Sequence, residues 1–276
     1  MRIQTRLGLL LTLALVLPMQ AVAACSRVIN VPMAATGLSV IADRNSISGG
    51  IYPDLLQSLQ EKNQCSFAMQ LVPRARLELM FKDGRADLLI PATRAPVRDA
   101  FGIFVPLIYN RATLISVKAS RPLITSAAEL LDQPALKVVL VRGFNYGAAY
   151  EALIEKLTLQ GRVTYEPDPL AVARTLKLDS NWLTIMAPSI LVGAIRNDAR
   201  FSDLLKKLQY EPIKELPWGD SGAYVSKKSL AAADQKLLQS LLENAARSGS
   251  VWKGFQAYYG NDVMNEGVRP RSADGG

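Results

Sequence analysis

The chain has 276 residues, a net charge of +8, two cysteines and no histidine. The missing histidine excludes a Ser-His-Asp triad, a Cys-His pair and any histidine metal ligand. Two cysteines are too few for a four-cysteine zinc site or an iron–sulfur cluster, so neither a metal nor a cofactor is expected. Hydrophobic residues make up 49% and charged residues 20% of the chain, as in a chain that folds. Its length suits one or two compact lobes.

Residues 1–24 read as a secretory signal. Arg2 and Arg6 form a positive n-region, Leu9 to Leu17 a short apolar run ended by Pro18, and Ala21-Val22-Ala23 a small-x-small cleavage pattern. The run is short for a membrane span of about 20 residues. Cleavage removes two arginines and no acid, taking the charge from +8 to +6. The mature protein is expected in the periplasm. Cys25 then stands at the new N-terminus. Val22-Ala23-Ala24-Cys25 resembles a bacterial lipobox, in which the cysteine is lipidated. The alternative is a Cys25–Cys65 disulfide in an oxidising compartment. Periodicity favours the disulfide. Arg27–Val31 and Phe67–Leu71 read as strands, each just behind a cysteine. If they are parallel neighbours, both cysteines lie at one sheet edge.

Strand and helix signals then alternate. A Gly/Ser-rich loop, Ser46 to Gly50, precedes a helix over Tyr52–Lys62 with Pro53 in its first turn. A helix over Arg74–Lys82 is stopped by Asp83-Gly84. Ala86–Pro91 and Arg111–Lys118 read as strands. Arg121-Pro122 is a break, and Ser126-Ala127-Ala128-Glu129 is a capping box. Strands follow at 137–142, 163–165 and 182–186, with helices at 148–159, 170–178 and 189–196. A strand restarts at Tyr224-Val225, helices close the chain at 229–247 and 250–258, and the tail from Gly267 is polar and loose.

This βαβα rhythm predicts an α/β protein with mostly parallel sheets and helices on both faces. Two such blocks predict two lobes: residues 25–118 and 218–262 form the first, 119–217 the second, and 263–276 a loose tail. Hinges are expected near Val117–Ser120 and Trp218–Tyr224. Ligands in such folds sit beyond the carboxyl ends of strands, so the loops after Met33, Ile90 and Arg142 are candidate walls. The loop after Ile90 holds Thr93, Arg94 and Arg98, and an arginine fork suits a carboxylate.

The stretch from Pro73 to Lys118 resembles the extracellular solute-binding protein family 3, the periplasmic polar amino-acid binding proteins. The likeness rests on Leu77 to Phe81, Asp83-Gly84-Arg85-Ala86-Asp87, Thr93 to Arg98 and Phe104 to Tyr109. Upstream, Gly50 to Leu56 matches the family's Gly-x-x-x-Asp-Leu helix start. Downstream, Val138–Gly143, Trp252–Phe255 and Tyr259-Gly260 continue the pattern. The resemblance implies a two-lobed, type II periplasmic-binding-protein fold with two hinge crossings. It implies a monomer that closes on a small anionic or zwitterionic ligand and serves a membrane permease or a sensor.

By position, the resemblance assigns a ligand's α-carboxylate to Arg98, with Thr93 and the Ala92 backbone on the same side. Arg74 is a second candidate anion contact and Tyr52 a candidate aromatic wall. From the second lobe, Gly143 offers backbone N–H groups, Asn145 a side-chain amide, and Phe144 or Tyr146 an apolar wall. Two departures stand out. Ala95 occupies a place where the family has threonine, and Trp182 to Ser189 lacks the acid that holds an α-ammonium. The solute is then a carboxylate without an amine, or one whose amine is held elsewhere. The enzyme alternative resembles cyclohexadienyl dehydratases and would draw on Asp43 or Asp54 as acid. Spread lysines and arginines without a dense basic run argue against nucleic acid.

Overall fold

A computed structural model describes residues 24–118, 120–260, 264 and 267–271. The proposed signal, apart from Ala24, lies outside the described residues. Strand β1 (Ile29–Met33) is followed by a hairpin, β2 (Ile41–Asp43) and β3 (Ser46–Gly49), where the sequence reads only as a loop. Helix α1 (Ile51–Asn63) buries Ile51, Tyr52, Leu55 and Leu56 and ends at Gln64 in the left-handed conformation, φ 46°. It crosses to β4 (Phe67–Leu71), which runs parallel to β1 with Phe67 opposite Ile29. Cys25 and Cys65 lie at that shared edge, their Cα atoms 4.9 Å apart, and form a disulfide. The bond uses the Cys25 sulfur, so the lipobox reading is set aside.

The chain continues through α2 (Arg74–Lys82), β5 (Leu88–Thr93), α3 (Pro96–Asp99) and β6 (Gly102–Asn110). Next come β7 (Thr113–Val117), α4 (Ala127–Leu131), β8 (Lys137–Val141) and α5 (Ala148–Leu159). The capping box at α4 forms: the Ser126 hydroxyl accepts the Glu129 N–H, and the Glu129 carboxylate accepts the Thr125 N–H. β9 (Val163–Glu166), α6 (Pro169–Leu176), β10 (Trp182–Met186) and α7 (Pro188–Ile195) follow. α8 (Ser202–Lys207) and β11 (Leu208–Glu211) complete the second lobe. The chain returns as β12 (Gly219–Ser226), α9 (Ala232–Arg247), α10 (Ser250–Tyr258) and β13 (Val268–Arg269).

The sheets are mixed rather than mostly parallel. In the second lobe the order is β11-β7-β10-β8-β9; β10, β8 and β9 are parallel, and β7 and β11 antiparallel. In the first lobe β13, β6, β12 and β5 are all antiparallel, beside the parallel β1–β4 pair. The antiparallel character comes from the return segment, since β12 inserts between β5 and β6.

The lobe boundary also moves. Val105, Leu107 and Ile108 belong to the first core, and Ala112 and Leu114 to the second. The first crossing therefore falls near Asn110–Ala112 rather than Val117–Ser120, and β7 belongs to the second lobe. The return falls between Leu216, in the second core, and Ala223, in the first. The Arg111 guanidinium lies 5.0 Å over the Trp218 ring, so the two crossings touch. Part of the tail is held in place: β13 pairs Val268 with Asn110, and Arg271 bonds Asp220. No helix among the described residues is long and apolar enough to cross a membrane.

Candidate functional site

The lobes meet closely on one flank. Gly37, φ +58°, sits where a Cβ would lie 2.6 Å from the Ile190 carbonyl of α7. A Cβ at Gly193 would lie 2.5 Å from the Tyr259 hydroxyl. That hydroxyl donates to the Ser189 carbonyl at 2.8 Å and accepts the Leu38 N–H at 3.1 Å, tying the lobes together. Val192 of α7 is buried in the first lobe's core. Small residues here let backbone approach backbone.

Beside this contact lies a small interlobe cavity, with about 40 Å³ for the centres of water molecules, room for a few waters. Arg74, Ala92 and Thr93 line it from the first lobe, and Phe144, Asn145 and Tyr146 from the second. These are six of the nine residues expected to bind ligand. Thr36, Asn110, Ile190 and Ser221 join them; as isolated residues near strand ends they carry no signal in the sequence. A wider groove of about 910 Å³ opens further along the lobe boundary, past Asp43 and Arg44. Asp198 and Arg200 on its rim are already paired with each other at 2.5 Å. The converging hydroxyls, amides and rings are at the inner cavity, so we take that as the candidate site.

Arg74 is the cation on the cavity wall. It starts α2 just after Pro73 and is 6% exposed. Its Nη1 donates to the Pro91 carbonyl (2.8 Å) and its Nη2 to Glu78 (2.7 Å). Its Nε is buried without a hydrogen-bond partner. The Phe144 ring of the other lobe lies 6.0 Å from the guanidinium carbon. Burial lowers the Arg74 pKa, and the Glu78 charge opposes that shift.

Arg98 lies elsewhere than expected. It is 4% exposed and absent from the inner cavity wall. Its Nε and Nη2 donate to the Glu78 carboxylate at 3.0 and 2.8 Å, and its Nη1 to the Thr93 carbonyl at 2.7 Å. All three nitrogens are engaged. Glu78, which the sequence reading passed over, is bound by both arginines. Burial alone would raise its carboxyl pKa, but the two guanidiniums outweigh burial and hold it below the ordinary glutamate value. One signal for it existed, the Arg74-x-x-x-Glu78 spacing on a single helix.

Other expected residues also have different work. Tyr52 is 1% exposed in the first core, edge-on to Phe255 at 6.2 Å, and does not reach the cavity. Gly143, φ +86°, packs against α2, where a Cβ would lie 3.1 Å from the Ala75 backbone. It does not stand at a helix start, because α5 begins only at Ala148, and the neighbouring Phe144 N–H is taken by the Val141 carbonyl. The Asn145 side chain closes its own loop: its Oδ1 accepts the Gly147 N–H at 2.7 Å and its amide bonds Glu151. The Tyr146 hydroxyl accepts the Ala187 N–H at 3.3 Å, and burial raises its pKa. Ala95 is anchored by the Tyr224 hydroxyl, which accepts its N–H at 2.9 Å. For the enzyme alternative, Asp54 accepts the Tyr258 hydroxyl at 2.6 Å in an exposed position, and Asp43 lies on the outer groove.

No family model and no curated protein matches the sequence. Solved structures do match its shape. A histidine kinase sensor domain described as similar to periplasmic binding proteins aligns at TM-score 0.66 and 18% identity, covering 85% of this chain and 96% of that one. A mutant arginine-binding protein from T. maritima aligns at 0.65 and 15%, covering 83% and 94%. The GluR0 ligand-binding core in complex with L-glutamate aligns at 0.65 and 16%, covering 85% and 99%. The fold is that of a two-lobed periplasmic binding protein. At these identities the likeness carries the fold alone.

Proposed function

We propose that this chain is a solute-binding protein that captures a small polar solute between its two lobes. The observation that carries this reading is the cavity itself, walled by Arg74, Thr93, Asn110 and Ser221 on one side and Phe144 and Tyr146 on the other. The sequence resemblance to the family 3 solute-binding proteins and the shared fold support it. So does the disulfide, which suits an oxidising compartment such as the periplasm. In this reading the partner is a membrane permease of the ABC type. The fold shared with a sensor domain favours a membrane receptor as the second choice. The carboxylate-bearing solute that the family resemblance implies fits less well, since Glu78 already holds Arg98. Binding is favoured over catalysis by the family 3 resemblance and by neighbours such as the arginine-binding protein from T. maritima.

The test is a thermal-shift screen over amino acids, polyamines, dicarboxylates, aromatic acids and uncharged polyols, followed by calorimetry. Phe144→Ala and Asn110→Ala, one from each lobe, are expected to weaken the best solute at least tenfold, with a lower unliganded Tm in Phe144→Ala because its ring packs on the second core and Tyr146. Unaltered affinity in both variants would place the solute elsewhere.

A further inference from the structure

Glu78 lies just behind the inner cavity wall, between the buried arginines Arg74 and Arg98. One of its oxygens accepts from Arg74 Nη2 at 2.7 Å and Arg98 Nη2 at 2.8 Å, and the other from Arg98 Nε at 3.0 Å. This is a forked, charge-assisted geometry of the kind that selects carboxylates. The Arg98 and Arg74 side chains are 5% and 7% exposed, and that of Glu78 is 24% exposed. We propose that Glu78 is the specificity-determining residue of the cleft: its carboxylate fills the anion position between Arg74 and Arg98, so that the captured solute is an uncharged polar molecule rather than an amino acid or other carboxylate. This inference rests on the reading of the cleft as a solute site.

Three observations carry it. First, Glu78 is held on a helix rather than a loop. Leu77 and Phe81 of α2 are 0% and 2% exposed, so the backbone that carries Glu78 is fixed, and three hydrogen bonds from Arg74 and Arg98 hold its carboxylate. A tethered carboxylate competes with a free one at high effective concentration. Second, an ammonium group has no counter-charge to meet. The cavity wall carries no aspartate or glutamate among the described residues, and Ala187 stands in the segment where the family resemblance places the acid. An ammonium enclosed without a partner is disfavoured. A zwitterion's ammonium therefore lacks a partner, and its carboxylate meets an Arg74 whose two terminal nitrogens are already taken by the Pro91 carbonyl and Glu78. Third, the groups that do face the cavity suit neutral oxygens. Apart from Arg74, they come from Thr36, Thr93, Ser221, Asn110 and Phe144. Sugar-like or amide-bearing solutes match that inventory.

The experiment compares acetate with acetamide at constant ionic strength, reading Tm for the wild type and for Glu78→Ala. Acetate is expected to raise the Tm of Glu78→Ala by about 2–4 °C at saturation, acetamide to leave it unchanged, and neither to shift the wild type. If Glu78→Ala does not fold, Glu78→Ser, which also vacates the carboxylate position between Arg74 and Arg98, serves the same comparison. An equal effect of acetate on wild type and variant overturns the proposal. So does an amino acid that stabilises the wild type and ceases to do so in Arg98→Ala. If no solute of any class stabilises the wild type, the binding reading falls. Acetate rescue of Glu78→Ala would still establish that Glu78 fills an anion position.

Discussion

Glu211 and the partly exposed Glu78 are both gripped by arginine, and they do different work. Glu211, on β11, has a side chain 0% exposed. It accepts two bonds from Arg121 at 2.7 and 2.6 Å, the Ile124 N–H at 2.7 Å and the Ser116 hydroxyl. Every partner comes from the second lobe, so the cluster stitches the segment after β7 back onto its own sheet. Glu78 lies beside the boundary between lobes, where Gly143 and Phe144 of the second lobe approach α2. The chemistry is the same, but only one of the two can influence what enters the cleft. Location, rather than residue type, separates the structural ion pair from the selective one.

The largest expected effects are at these two carboxylates. Glu211→Ala strands a buried guanidinium and should cost about 3–5 kcal/mol in urea unfolding. A cost below about 1 kcal/mol would break the comparison by showing that the second-lobe cluster is not structural. Glu78→Ala strands two buried guanidiniums, Arg74 and Arg98, and should cost a similar amount, about 3–5 kcal/mol, eased by the Pro91 and Thr93 carbonyls that they keep.

Acid probes both carboxylates. Burial pushes both carboxyls up, yet their guanidinium partners hold both below the ordinary value, about 4.3 for glutamate. A depressed folded-state pKa gives stability that is complete above the unfolded value and lost as pH falls through the folded one. Stability from these groups should therefore be flat down to about pH 4.3 and decline below it. Glu211→Gln and Glu78→Gln are each expected to flatten that acid decline, as read from urea midpoints across the range; an unflattened decline in either variant would show that its carboxylate is not held charged by its arginine partners.

A smaller effect probes the lobe boundary. Gly193→Ala places a methyl within 2.6 Å of the Leu38 backbone nitrogen. Overpacking of this kind costs about 1–3 kcal/mol and should part the lobes, raising the radius of gyration in small-angle scattering. An unchanged radius would mean the flank yields without opening. The smallest effect is at the exposed Asp198–Arg200 pair, where Asp198→Asn should leave the unfolding curve unmoved.

Much of the architecture was legible because local patterns were strong. The Lys-Val-Val-Leu-Val run became β8, and α5, α10 and β10 occupy the spans read from periodicity. The hairpin of β2 and β3 was missed because its Ser/Gly composition resembles a loop. The first crossing was misplaced because the Thr-Leu-Ile-Ser-Val strand has the same propensity in either lobe, and only packing assigns it to the second sheet. At the site, the walls at Arg74, Ala92, Thr93 and Phe144–Tyr146 follow from strand ends. The engagement of Arg98 does not, since its partner lies 20 residues earlier, on another helix. A side chain's occupancy is tertiary information, and the i,i+4 spacing of Arg74 and Glu78 hints at half of it.

The most direct test of the account is calorimetry with two solutes of one skeleton, an uncharged amide and its carboxylate. The amide should be the parent of whichever neutral compound stabilises the wild type in the screen. The account predicts that wild type binds the amide and not the carboxylate, and that Glu78→Ala gains the carboxylate. Tight binding of the carboxylate by the wild type, abolished by Arg98→Ala, would contradict it.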